Sequence, residues 1–140
     1  MATNTTPARA SSGAPFDASP GATASTDARA LLDRHLAAFS VGDIDTIAAD
    51  YTDASVMITQ DATHTGRAAI RGFFAGLLSE HFRPGTYDFV MDLVSVEGDV
   101  AYIVWHASCE SADVVLATDT FVLRGGKIAT QTFTAKLDPR

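Results

Sequence analysis

Asp119 is the residue whose setting most demands a chemical reason. It falls in the middle of Val115-Leu116-Ala117-Thr118-Asp119-Thr120-Phe121-Val122, a strand-like run in which carboxylates are disfavoured. Alternation places it on one strand face with Ala117 and Phe121. If that face looks inward, the carboxylate enters apolar surroundings, where an unpaired anion is costly. It is then either paired or held neutral by a raised pKa. A neutral carboxylic acid can donate a hydrogen bond to a developing oxyanion. The alternative is an aspartate bonded to neighbouring backbone or to a helix.

His35 is the natural companion. It shares a helical stripe with Leu31, Leu32, Leu36 and Phe39, and an imidazole there exchanges protons near neutral pH. A core histidine satisfied by a backbone carbonyl or by Asp119 would occupy the same position. Asp119 and His35 form the expected catalytic pair.

Five further residues are expected to contact a ligand. Tyr51 has an apolar body that suits the core and a hydroxyl that needs a partner; a structural role fits it equally well. Gln131 alternates in step with Phe133, so it would orient a ligand carbonyl if that face is internal, or sit on an outer face if not. Phe74 lies on a helical apolar face. Trp105 and Cys109 share one strand face, and Tyr102 and His106 the other; both faces are bulky, so Trp105 and His106 are both retained.

Other chemistry is poorly supported. The four histidines, 35, 64, 81 and 106, make no close ligand pair, and Asp61-Ala62-Thr63-His64 is a sparse loop, so no metal is expected. Cys109 has no basic neighbour in sequence to activate it. No glycine-rich phosphate loop is present, and no cofactor is expected.

The elements that must position these residues can be read from periodicity. A helix carries the Leu31 to Phe39 stripe, with Thr26 or Asp27 as its cap. Gly42-Asp43 breaks the chain and caps a short second helix, whose face is Ile44, Ile47, Ala48 and Tyr51. Ala54–Thr59 reads as a strand and Gln60–Gly66 as a polar loop. A third helix presents Ile70, Phe73, Phe74, Leu77 and Leu78, and Pro84-Gly85 ends it. Tyr87–Val96, Val100–Cys109, Val114–Leu123 and Lys127–Leu137 then follow as strands joined by short turns. The fold class is α+β, with three helices on one face of a strongly curved antiparallel sheet that forms a cone around an internal pocket.

One domain, residues 27–140, is expected behind a disordered leader, residues 1–26, rich in Ala, Ser, Thr, Pro and Gly. Arg9 is the only basic residue before Arg29, which does not suit a transit peptide. The net charge of -7, with ten scattered basic residues, argues against nucleic acid. No apolar run approaches the roughly 20 residues that span a bilayer. A single cysteine and the lack of a secretory apolar stretch suggest the cytoplasm.

Several strings, in this order, resemble the nuclear transport factor 2-like superfamily, which includes SnoaL-like polyketide cyclases and ketosteroid isomerases. They are Phe39-Ser40-Val41-Gly42-Asp43, Asp50-Tyr51-Thr52-Asp53-Ala54, Gly66-Arg67-Ala68-Ala69-Ile70 with Phe73-Phe74, and Asp119-Thr120-Phe121 followed by Gly126-Lys127-Ile128. They cover about Ala28 to Leu137. The resemblance implies that Asp119 is the isomerases' protonated aspartate, that His35 replaces an oxyanion-hole tyrosine, and that Tyr51 supports that hole. It also implies a homodimer formed through the sheet. The isomerases' catalytic base, an Asp, aligns with Ile58, so ketosteroid isomerisation itself is not expected. Epoxide-hydrolase-like chemistry would need an Asp-Arg-Asp set, and no buried arginine is evident. Two functions follow. One is acid–base catalysis, isomerising or cyclising a small hydrophobic carbonyl compound. The other is a non-catalytic ligand-binding or dimerisation module.

Overall fold

Turn glycines divide the helices where the local geometry leaves no room for a side chain. The computed structural model describes residues 18–140, in which α1 runs Ala18–Val41, α2 Ile44–Ala48 and α3 Arg67–Glu80. Gly42, between α1 and α2, has φ +71°, and a Cβ there would sit 3.1 Å from Pro84 Cγ. Asp43 then caps α2, accepting from Thr46 N at 3.1 Å and from Thr46 Oγ1 at 2.6 Å. Gly66, before α3, has φ +90°, with the Asp53 carbonyl 3.3 Å from the position of a Cβ.

The start of α1 differs from expectation. The helix begins at Ala18, ahead of Thr26 and Asp27. Pro20 falls in its first turn, where a missing N–H costs nothing, so a leader-like composition does not prevent helix here. Residues 1–17 of the expected leader lie outside the described residues.

Six strands form one sheet: β1 Tyr51–Thr59, β2 Thr63–Thr65, β3 Asp88–Glu97, β4 Val100–Ser108, β5 Ala112–Arg124 and β6 Lys127–Pro139. Their order is β2-β1-β6-β5-β4-β3. The antiparallel meander from β3 to β6 follows the turn signals. Four expectations are corrected. The sheet is mixed, because β1 pairs parallel with β6, Met57 opposite Gln131. It is also open, with β2 and β3 as its edges. Thr63-His64-Thr65, expected in a loop, is an edge strand paired with β1; three polar residues carry no apolar alternation to announce it. Tyr51, expected on the α2 face, opens β1 instead.

Along β4 and β5 the inward residues alternate as the pleat requires. Ala101, Ile103, Trp105 and Ala107 are buried on β4, and Ala117, Asp119 and Phe121 on β5. α1 packs against β3 and β4, and α3 against β1, so the inner face is covered. Register shifts interrupt β3, β4 and β5, and such bulges bend and twist a sheet. No described helix is long and apolar enough to cross a membrane.

Candidate active site

Asp119 stands on an interior strand, with Ile103 of β4 and Phe133 of β6 directly opposite it. The next inward residues on those strands are Trp105 and Gln131, its diagonal neighbours, which lie within reach of long side chains. Trp105 Nε1 donates to Asp119 Oδ1 at 2.8 Å, and Gln131 Nε2 donates to Oδ2 at 2.9 Å. The Tyr51 hydroxyl donates to Gln131 Oε1. That last contact fixes the amide: Tyr51 supplies the proton, so the Gln131 NH₂ must face the carboxylate. Burial, with the negative charges of Asp119 and Asp50, holds the Tyr51 hydroxyl well above its usual pKa, so it remains a donor.

Burial pushes the Asp119 carboxyl up to about 6, against the pull of the Trp105 and Gln131 hydrogen bonds and the His35 charge. Both oxygens accept N–H donors, an arrangement that fits the anion. At pH 7 about a tenth of the molecules hold it protonated. Asp119 is thus a carboxylate that can take up a proton near neutrality, as a general base must.

His35 is tied to a residue not anticipated from the sequence. Its Nδ1 lies 3.3 Å from Asp50 Oδ2, and Arg34 Nη2 donates to Asp50 Oδ1 at 2.9 Å. Both His35 and Asp50 are buried. Burial raises the Asp50 carboxyl, but the hydrogen bonds and charges of His35 and Arg34 outweigh it, and its pKa lies below the usual value. An anionic Asp50 places the His35 proton on Nδ1 and leaves Nε2 without a hydrogen-bond partner among the described residues. The sequence offers one cue to it, its place in the Asp50-Tyr51-Thr52-Asp53-Ala54 string.

The two groups meet in one inner chamber of about 40 Å³, whose wall includes His35, Phe74, Trp105, Asp119, Gln131 and Phe133. Tyr51 does not line it and acts from behind Gln131. His106 does not line it either, which corrects the expectation: it stands on the opposite face of β4 from Trp105, 46% exposed, bonded to Asp92 Oδ2 at 2.7 Å. The strand alternation that buries Trp105 necessarily turns His106 outward. Ile58, aligned with the isomerases' base, also faces outward at 44% exposure, while the inward residue is Met57. Neither residue is an acid. Among the described residues no group of three or more His, Cys, Asp or Glu is placed to hold a metal. Burial raises the Cys109 thiol above its usual pKa, which suits packing and not nucleophilic attack.

Residues 32–131 match the family model of the SnoaL-like domain. Solved structures similar to this chain include a candidate polyketide cyclase from Sinorhizobium meliloti, 22% identical with TM-score 0.65, covering 78% of this chain and 97% of that one. A candidate ketosteroid isomerase from Kribbella flavida DSM 17836 is 15% identical with TM-score 0.65, over 79% and 78% of the two chains. A nuclear transport factor 2-like protein of unknown function from Mesorhizobium loti is 19% identical with TM-score 0.68, over 80% and 93%. Identities this low establish a shared fold and no shared activity. No curated protein is significantly similar in sequence. The family match spans most of the chain and runs from α1 to Gln131, so the protein belongs to the SnoaL-like domain family.

Proposed function

We propose that this chain binds a small hydrophobic carbonyl compound and catalyses proton transfer on it, as part of an isomerisation or cyclisation. One observation carries the reading. Asp119, 6% exposed, is held by two neutral donors at a pKa of about 6, and it shares a chamber with His35, whose Nε2 has no hydrogen-bond partner among the described residues. In this mechanism Asp119 takes a proton from the carbon next to the carbonyl, and the electron pair of that C–H bond moves to the carbonyl oxygen. His35, carrying a second proton on Nε2 beside its Nδ1–H bond to Asp50, donates to that oxygen. The oxygen's pair then re-forms the C=O, the C=C pair of the conjugated enolate shifts to a more distant carbon, and that carbon takes the proton back from Asp119. The role differs from the one the resemblance implied, since Asp119 serves as base and not as a neutral donor.

Incubation with cyclic ketones in D₂O, followed by mass spectrometry, tests the reading. Wild type should deuterate the α-carbon of at least one ketone faster than buffer, and Asp119→Asn should lose that acceleration by roughly 100-fold or more. Exchange no faster than buffer across the panel, with binding intact, would reduce the protein to a binder.

A second role is favoured by the outer face of the sheet. Val90 and Leu93 of β3, Tyr102 of β4 and Ile58 of β1 are 46%, 47%, 36% and 44% exposed. A second copy of this chain would cover them. Light scattering should return a dimer at micromolar concentration, and a monomer would exclude this role.

A further inference from the structure

Tyr51 is fully buried, at 0% exposure, and takes no part in the proton transfer proposed above. It opens β1, and the parallel pairing of β1 with β6 brings it to Gln131. Its position is held from two sides. Arg67 of α3 donates from Nε and Nη2 to the Tyr51 carbonyl at 3.0 and 2.8 Å. The Tyr51 ring meets those of Phe74 and His35, each at 6.0 Å between centroids. The hydroxyl is thus delivered to one end of an amide by a residue with little freedom to leave it.

A glutamine amide has a donor end and an acceptor end of nearly equal size, so shape alone does not orient it. In this interior the hydroxyl decides. Tyr51 donates to Oε1, which leaves the NH₂ for Asp119 Oδ2 at 2.9 Å. Trp105 Nε1, a donor with no acceptor capacity, faces Oδ1 at 2.8 Å. Both carboxylate oxygens therefore meet N–H groups, and a proton on Asp119 would have to point away from each. With the amide turned over, Oε1 would face Oδ2 and accept from a carboxylic acid. The protonated form would then gain a hydrogen bond that it now lacks.

The other charged groups around this route come from α1 and from the turn after α2. His35, from α1, lowers the proton affinity of Asp119, while Asp50, in the turn, and Asp119 itself raise that of Tyr51. Tyr51 therefore stays a donor wherever Asp119 titrates. The residues that α3 and β3 turn to the chamber, Phe73, Phe74, Leu77 and Phe89, carry no charge.

We infer that Tyr51 is a positioning residue for the proposed base: by holding the Gln131 amide in one orientation, it keeps two donors on Asp119 and favours the anion that accepts a proton from substrate. The inference rests on the base role proposed for Asp119, and its titration half is read without a substrate. The role differs from the support of an oxyanion hole that the resemblance implied, since Tyr51 acts on the base and only through Gln131.

Tyr51→Phe keeps the ring and removes the hydroxyl. The Asp119 carboxyl carbon, assigned by its absence from Asp119→Asn, is followed by NMR in the full chain. Its midpoint should rise by about one unit or more in Tyr51→Phe, because the amide is then free to turn and serve the protonated form. Gln131→Met keeps the length of the side chain without a donor and should raise the midpoint by a similar amount. In the double variant, Tyr51→Phe should add nothing to Gln131→Met, the signature of one shared route. An unmoved midpoint in Tyr51→Phe, or shifts that add in the double variant, would overturn the inference.

Activity supplies an independent readout. With cyclohexanone in D₂O as the probe, Tyr51→Phe should lower kcat/KM for α-deuteration about 5-fold at pH 6 and less than about 2-fold at pH 8. That pattern is expected of a base whose midpoint moves up about one unit from about 6. An equal loss at both pH values would reduce Tyr51 to a packing residue and overturn its positioning role. A wild type that deuterates neither cyclohexanone nor any other cyclic ketone, while the NMR midpoints move as described, keeps the route from Tyr51 to Asp119 and overturns the carbonyl reading. Deuteration by wild type with an unmoved midpoint in Tyr51→Phe does the reverse.

Discussion

Asp119 and Asp50 are both buried carboxylates, yet their environments push them in opposite directions. Asp119 is held by an indole and an amide, which are neutral donors, and burial wins. Asp50 is held by Arg34 and His35, and their hydrogen bonds and charges win. The same side chain is thus a titratable group in one place and a permanent anion in the other, decided by whether its partners carry charge. Asp50 serves the site by fixing the ring of His35, and Asp119 by staying close to its own titration point.

Substitutions sharpen this contrast, the largest effect first. Asp119→Asn should raise stability at pH 8, by less than the roughly 3 kcal/mol equivalent of its shift because the Asn NH₂ leaves one of the two buried donors without an acceptor. The folded pKa of Asp119, about 6, lies above the ordinary 3.8. Its contribution to stability is therefore fully present below about pH 3.8 and lost as pH rises through 6. Urea melts at pH 5 and pH 8 should differ less in the variant than in wild type, and an unchanged difference would remove Asp119 as the titrating group.

Asp50→Ala should cost about 2–3 kcal/mol in the same melts. That is below the 3–5 typical of a broken buried pair, because Arg34 is half exposed. Its pH signature has the opposite sign. The folded pKa is lowered, so the stability Asp50 adds is present above the unfolded value and lost as pH falls through the folded one. Asp50→Asn should therefore flatten the acid limb that Asp119→Asn leaves in place.

Trp105→Phe removes one neutral donor from Asp119 and should cost about 1 kcal/mol. It should also move the Asp119 titration upward, as read by carboxyl carbon NMR, because that hydrogen bond lowers the pKa. The smallest effect belongs to the surface. Asp92 and His106 are 2.7 Å apart but 41% and 46% exposed. Asp92→Asn should change stability by no more than about 0.5 kcal/mol, which would show that proximity without burial contributes little.

Local order was legible in the sequence, and partnership across distance was not. Asp43 reads as a cap because its bonds go to Thr46, three residues on. The strands from β3 to β6 read as a meander because each turn is written between its strands. Asp119 could be singled out because a carboxylate in an apolar strand contradicts its neighbours. The parallel partner of β1 is invisible to the same reading, since no turn connects it to β6. The face of β4 that looks inward was undecided because Trp105 and His106 are both large; the helices laid across it made the choice. Asp50 carries no local signal, because it lies in the turn after α2 and its partner His35 stands in α1. The shape of the chamber depends on how Phe73, Trp105 and Phe133 fit together, which no single segment encodes.

The pairing of β1 with β6 also dictates when the site can exist. α1, α2 and β1 leave the ribosome well before Lys127–Pro139, yet Tyr51 finds its hydroxyl partner in Gln131, 80 residues later in the chain. Until β6 arrives, β1 has only the three-residue β2 beside it, and Asp119 lacks one of its two donors. Non-local strand pairings of this kind close late and slow folding. The candidate site is therefore among the last parts of the molecule to assemble, and a nascent chain carries most of the scaffold before it carries the site.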